Sequence, residues 1–182
     1  MIILASASPR RRELLKQVVS EFAVIPAAGE EAVSGPLSPE DLACALAEKK
    51  CGEVFAAHPA DTVIGCDTIV VCDGLVLGKP EDEDDAFRTL KMLSGKTHYV
   101  ITGVCMRRGD KKLVDCCKTE VLFNELSDEF IRGYIAGGSP MDKAGSYGIQ
   151  DEGVVKKYYG SYTNVVGMPV QLVKQMLGVI LK

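Results

Sequence analysis

A chain of 182 residues lies within the usual range for one domain and can bury about two-thirds of its unfolded surface. Hydrophobic residues make up 47%, charged residues 25%, and the net charge is −4, so bulk electrostatics disfavour nucleic acid polymers and anionic membranes as partners. Seven cysteines without a CxxC pair point to reduced thiols in a cytoplasmic setting, and two distant histidines, His58 and His98, argue against a His-rich zinc site.

Ile2 to Ala5 is an apolar run that reads as a strand. Its arginines come after the apolar residues, so no signal peptide is expected, and no run is long enough to span a membrane. Ser8 can cap a helix, and Pro9 suits its first position. The free N–H groups of that helix start, with Arg10 and Arg11 beside them, make an anion site. Cationic side chains are unfavourable at a helix N-terminus, so three arginines there point to an anionic ligand. The alternative is a solvated basic turn, which is the reading for Arg12.

Phe22 to Pro26 reads as a short strand, followed by a loop carrying Glu30 and Glu31. Ser38-Pro39-Glu40-Asp41 starts a helix bearing Lys49 and Lys50. Thr62 to Cys72 is a long apolar strand, and Asp73-Gly74 turns it into Leu75-Val76-Leu77. Glu81 to Ser94 is a helix with an acidic first turn. Tyr99 to Met106 and Lys112 to Phe123 are two strands turning at Gly109-Asp110. Ser127 caps a helix ending at Gly137-Gly138. Asp142 to Gly153 is Gly-rich and irregular, with a short strand near Val154 to Tyr158. Pro169 opens a last helix. Two hairpins among alternating helices and strands predict a single α/β domain, residues 1–182, on a mixed sheet.

Asp67 interrupts the apolar run of its strand. A buried aspartate is costly unless paired or metal-bound, whereas a residue on a half-exposed strand face carries no such cost. Lys79, between Gly78 and Pro80, is a candidate phosphate partner, as is Lys50; the plainer reading of each is a solvated lysine. Glu30 and Glu31 could join Asp67 around Mg²⁺, which prefers oxygen ligands. Gln150 donates and accepts at once, which suits the edge of a base. The local chemistry describes an anion-binding loop, an acidic site and supporting lysines, for which a phosphorylated small molecule is the natural ligand.

Ala5-Ser6-Ala7-Ser8-Pro9-Arg10-Arg11, Gly65-Cys66-Asp67-Thr68, Gly78-Lys79-Pro80, Thr102-Gly103-Val104 and Asp142 to Gln150 occur in this order. With them the chain resembles the Maf family of nucleoside triphosphate pyrophosphatases, from Leu4 to Pro169. The resemblance implies an α/β fold on a long mixed sheet, with helices flanking it and a cleft between two lobes, similar to inosine triphosphatases. It implies cleavage of a nucleoside triphosphate to monophosphate and pyrophosphate with Mg²⁺ or Mn²⁺. Asp67 would be the proton acceptor and a metal ligand, with Glu30 or Glu31 completing the metal side. Ser6, Arg11, Lys50 and Lys79 would hold phosphates. Arg10, Thr68 and Gln150 resemble the branch acting on dTTP and UTP. A nucleotide-binding regulator of septum formation, or the same reaction on another base, remains open, as does a homodimer. Lys49 departs from the family pattern, and the glutamate loop matches it loosely. The resulting picture sets Asp67 across one groove from Arg10 and Arg11, on the same side of the sheet.

Overall fold

In the computed structural model, which describes residues 1–29 and 35–182, the first strand β1 (Ile2–Leu4) lies between two later strands. It pairs in parallel with β2 (Ala23–Val24) and with β3 (Thr62–Cys72). On the other side of β3 come β5 (Thr97–Arg108), β6 (Lys111–Phe123) and β7 (Val155–Tyr159), all antiparallel. β4 (Leu75–Leu77) returns along the far end of β3 as the expected hairpin. Among the described residues the sheet is mixed, with seven strands, because helix-bearing crossovers supply the parallel pairs and tight turns supply the hairpins.

Helix starts follow the expected caps. Ser8 Oγ accepts from Arg11 N at 3.4 Å at the head of α1 (Pro9–Leu15). Ser38 Oγ accepts from Asp41 N at 3.1 Å and opens α2 (Pro39–Ala57). Ser127 caps α4 (Asp128–Ala136) in the same way, while α3 (Glu83–Leu93) starts two residues later than expected, capped by Asp82. One helix escaped the sequence reading: α5 (Tyr162–Val166), a five-residue turn capped by Ser161. It is too short to show an apolar period. The last helix is α6 (Val170–Ile180). Within the described residues, no helix is long and apolar enough to cross a membrane.

Side chains alternate along β3, and the two faces are covered differently. Val63, Ile69 and Val71 pack beneath α2 with Ala43, Ala47 and Cys51. The other face carries two separate apolar clusters. Ile64 and Cys66 join α1 and α6, while Val70 and Cys72 join α3 and α4. Between those clusters runs a polar seam, Thr68 and Thr102, covered by Asn164 of α5. The seam separates the two apolar clusters on that face of the sheet.

His98, wholly buried in the second cluster, meets Tyr147 Oη at 2.8 Å through Nε2 and packs edge-on against Phe123. Burial lowers its pKa from 6.5 to about 4. The folded state therefore holds the ring neutral, and its stability is full above pH 6.5 and lost as pH falls from 6.5 towards 4. The loss should reach about 3 kcal/mol. Urea titrations of wild type and His98→Gln, run from pH 7.5 to 4, check this: the variant's curve should be flatter over that window. Parallel curves would show that the imidazole does not drive the acid loss.

Candidate active site

β1 ends at Leu4, opposite Ile64, and the antiparallel β4 ends at Leu77, opposite Val70. Among the described residues, the edge of β3 between them has no neighbouring strand. Ala5 N bonds to Ile64 O at 2.8 Å, so the even-numbered residues direct their main-chain groups to that edge. A cleft of about 410 Å³ opens there, within the range of small-molecule sites. Arg10, Arg11, Lys50, Asp67, Thr68, Lys79 and Gln150 all line it.

Asp67 is buried and points towards α2, where Lys50 Nζ pairs with its Oδ1. Two glycines bring the helix this close. A Cβ on Gly65 would sit 2.5 Å from Ala47 O, and one on Gly103 would sit 2.1 Å from Ala43 O. Gly103 is the cross-strand partner of Asp67, and Gly65 precedes Asp67 on the same face. Together they form a flat bed on which α2 rests over the two turns that lead to Lys50. Asp67 Oδ2 has no hydrogen bond within the described residues, so its lone pairs remain available at the cleft.

Arg11 reaches the same cleft from the opposite face. Its Nε donates to Gly167 O at 2.8 Å, Nη1 to Cys66 O at 2.8 Å and to Ser6 Oγ at 3.3 Å, and Nη2 to Thr68 Oγ1 at 3.0 Å. Cys66 O is one of the uncovered edge carbonyls, so the guanidinium stands where a strand's N–H would otherwise stand. One Nη2 hydrogen is left without an acceptor within the described residues. The picture of Asp67 and Arg11 on the same side of the sheet is therefore corrected. They belong to opposite faces of β3 and meet only because the strand's edge is bare between them.

Ser6 lies beneath Arg11, is buried, and is not part of the cleft wall; its Oγ accepts from Arg11 and from Ser8 N at 3.3 Å. Arg10 crosses the mouth to Asp142, Nη1 to Oδ2 at 2.9 Å. That pair is solvent-exposed and contributes at most about 1 kcal/mol, so an anion could replace the carboxylate at low cost. Glu30 and Glu31 lie outside the described residues. Ala28 N and Gly29 N, just before them, are held by the Glu53 carboxylate of α2 at 2.6 and 3.0 Å.

Lys79 is exposed at the rim and has no acidic partner within the described residues. Its loop is joined to the Gly-rich segment by Gly145 N donating to Gly78 O at 2.9 Å. Gly145 has φ +70°, and a Cβ there would meet Val70 at 2.9 Å, so only glycine lets the segment lie on β3. Asp151 then fixes its end. One carboxylate oxygen accepts from Tyr134 Oη, from Ser139 Oγ at 2.7 Å and from Gly148 N at 3.1 Å. The Tyr134 and Ser139 hydroxyls outweigh burial and hold its pKa below the usual carboxylate value. Gln150, next to it in the chain, is exposed and lines the cleft.

The sequence reading missed three contributors: Lys143 and Tyr147 on the cleft wall, and the Gly167 carbonyl at the end of α5. The first two lay inside the singled-out Gly-rich segment without an assigned role. Gly167 carried no signal, since an acceptor carbonyl is independent of residue type.

Comparison with known proteins agrees with this architecture. The family model described as "Maf-like protein" matches residues 1–180. A dTTP/UTP pyrophosphatase of Thermococcus gammatolerans is 49% identical, covering 95% of this chain and 93% of that protein. One from Bacillus velezensis is 47% identical over 93% and 90%, and one from Symbiobacterium thermophilum is 48% identical over 97% and 92%. The solved structure of the Staphylococcus aureus Ham1 protein superposes with a TM-score of 0.58 at 14% identity, over 97% of each chain, and shares the fold. The motifs strung along the cleft and the match across nearly all of the sequence place this chain in the Maf family.

Proposed function

We propose that the protein hydrolyses nucleoside triphosphates, dTTP and UTP among them, to the monophosphate and pyrophosphate. The single observation that carries this reading is the cleft in which cationic side chains from four separate segments converge with one aspartate oxygen that makes no hydrogen bond among the described residues. The names of the relatives support the substrate class.

Arg11, Lys50 and Lys79 bind the triphosphate and neutralise charge as the bond between the α- and β-phosphoryl groups breaks. Asp67 Oδ2 takes the proton of the attacking water, while Lys50 holds the other carboxylate oxygen in place. Gln150, with Arg10 near the mouth, meets the base; an amide presents both a donor and an acceptor, as the N3–H and carbonyl edge of a pyrimidine requires.

A site with a carboxylate oxygen that no described residue bonds fits Mg²⁺ or Mn²⁺, which keep several waters and need few protein ligands. Asp67 would hold the ion, with Glu30 or Glu31 as further ligands. When bound, the ion supplies Lewis-acid polarisation of phosphoryl oxygens. Seven free cysteines suit a reducing cytoplasm.

The test is pyrophosphate release from each canonical nucleoside triphosphate in turn, with Mg²⁺ or Mn²⁺. dTTP and UTP should exceed CTP and GTP by at least about tenfold in kcat/KM, since a polar site rejects bases that leave its groups unpaired. Orthophosphate as the product, or equal rates on all bases, would overturn the reaction or the base preference respectively.

A further inference from the structure

Thr102 belongs to the fourth of the ordered motifs, yet it is wholly buried and forms no part of the cleft wall. Its hydroxyl donates to Asn164 O at 3.1 Å. A hydroxyl has one hydrogen, so towards Thr68 Oγ1, 3.0 Å away, Thr102 can only accept. Thr68 therefore donates to Thr102, and its own oxygen is turned towards Arg11 Nη2, which donates to it at 3.0 Å. The chain of donors runs in one direction, from Arg11 through Thr68 and Thr102 to the Asn164 carbonyl, and every hydrogen is used once. The alternative acceptor for Thr68, Gly167 O, is at 3.5 Å and already takes Arg11 Nε at 2.8 Å.

The chain ends on a fixed point. Asn164 is fully buried, and its Nδ2 donates to Val100 O at 3.0 Å and to Thr119 Oγ1 at 2.9 Å. Asn164 and Gly167 both belong to the α5 turn. That one turn therefore holds Arg11 twice, directly at Nε and through two hydroxyls at Nη2.

We infer that Thr102 is a positioning residue for the triphosphate site. It polarises and orients the Thr68 hydroxyl so that this oxygen accepts from Arg11, which fixes the guanidinium plane and turns towards the cleft the one N–H that has no acceptor among the described residues. Thr68 then acts on the substrate through Arg11 rather than by giving its own hydrogen to the base. The inference rests on the proposed triphosphate binding, and Thr102 acts on the phosphate chain rather than on base choice.

Thr102→Val keeps the branched shape and removes the hydroxyl. It should raise KM for dTTP and UTP by the same factor, about tenfold, with kcat changed less than twofold. The dissociation constant of inorganic tripolyphosphate, measured by calorimetry with Mg²⁺, should rise by that factor too. Thr102→Ser, which restores the hydroxyl, should return both within twofold of wild type. Thr102→Ala serves if the valine variant does not fold, with the same expectation. Unchanged tripolyphosphate affinity in a folded hydroxyl-less variant, or a serine variant as impaired as valine, overturns the inference. An unequal rise for dTTP and UTP also overturns it. Absence of pyrophosphate release by the wild type would instead remove the proposed activity, and tripolyphosphate binding would still decide the role of Thr102.

Discussion

Asp67→Asn should lower pyrophosphate release by about 10³-fold or more while nucleotide affinity stays within a few-fold, consistent with the 10²–10⁴ contribution of a positioned general base. The amide keeps the shape, and its oxygen can still meet Lys50 Nζ. What it loses is the negative charge and the lone pair at Oδ2 that would receive the proton. Single-turnover release, paired with calorimetric binding of dTTP in Mg²⁺, separates the two effects. A variant within tenfold of the wild-type rate would deny Asp67 the role of base. Loss of binding and rate together would make the residue a ligand for substrate or ion alone.

Gly103→Ala should be the most damaging single methyl addition near the site. The new Cβ would lie 2.1 Å from Ala43 O and 2.4 Å from Ala43 C, both backbone atoms of α2. The helix must retreat by about 1 Å to restore van der Waals distance, and overpacking of this kind costs about 3 kcal/mol. Lys50 rides on that helix, so its grip on Asp67 loosens, and a shift of this size in a catalytic group lowers rate by about 10²-fold. Denaturant titration and kcat, measured together, check both parts. Gly133→Ala is the control: no atom lies within 4 Å of its Cβ, it sits inside α4, and it should gain up to about 1 kcal/mol with the rate unchanged. If Gly103→Ala behaves like Gly133→Ala, the close approach of α2 does not position the ion pair.

Much of the fold was legible because local signals agreed with one another. Ser8-Pro9, Ser38-Pro39 and Ser127 start helices by satisfying free N–H groups, whatever the rest of the chain does. Asp73-Gly74 and Gly109-Asp110 turn the hairpins for equally local reasons. α5 was invisible because five residues cannot display a helical period. Glu30 and Glu31 fall outside the described residues.

What the amino-acid order determined by itself was the elements, their capping and turning residues, and the family whose ordered motifs place Asp67, Arg11 and Lys79 among the candidates. The strand period also dictated that Asp67 and Thr68 face opposite ways. Only the tertiary structure decided that these two faces share one cleft. The ends of β1 at Leu4 and of β4 at Leu77 lie too far apart to cover the edge of β3 among the described residues, so groups from both sides of the sheet reach the same space. Pairing partners and strand ends are long-range properties, set by which surfaces bury one another, and no local pattern encodes where a neighbouring strand will be missing.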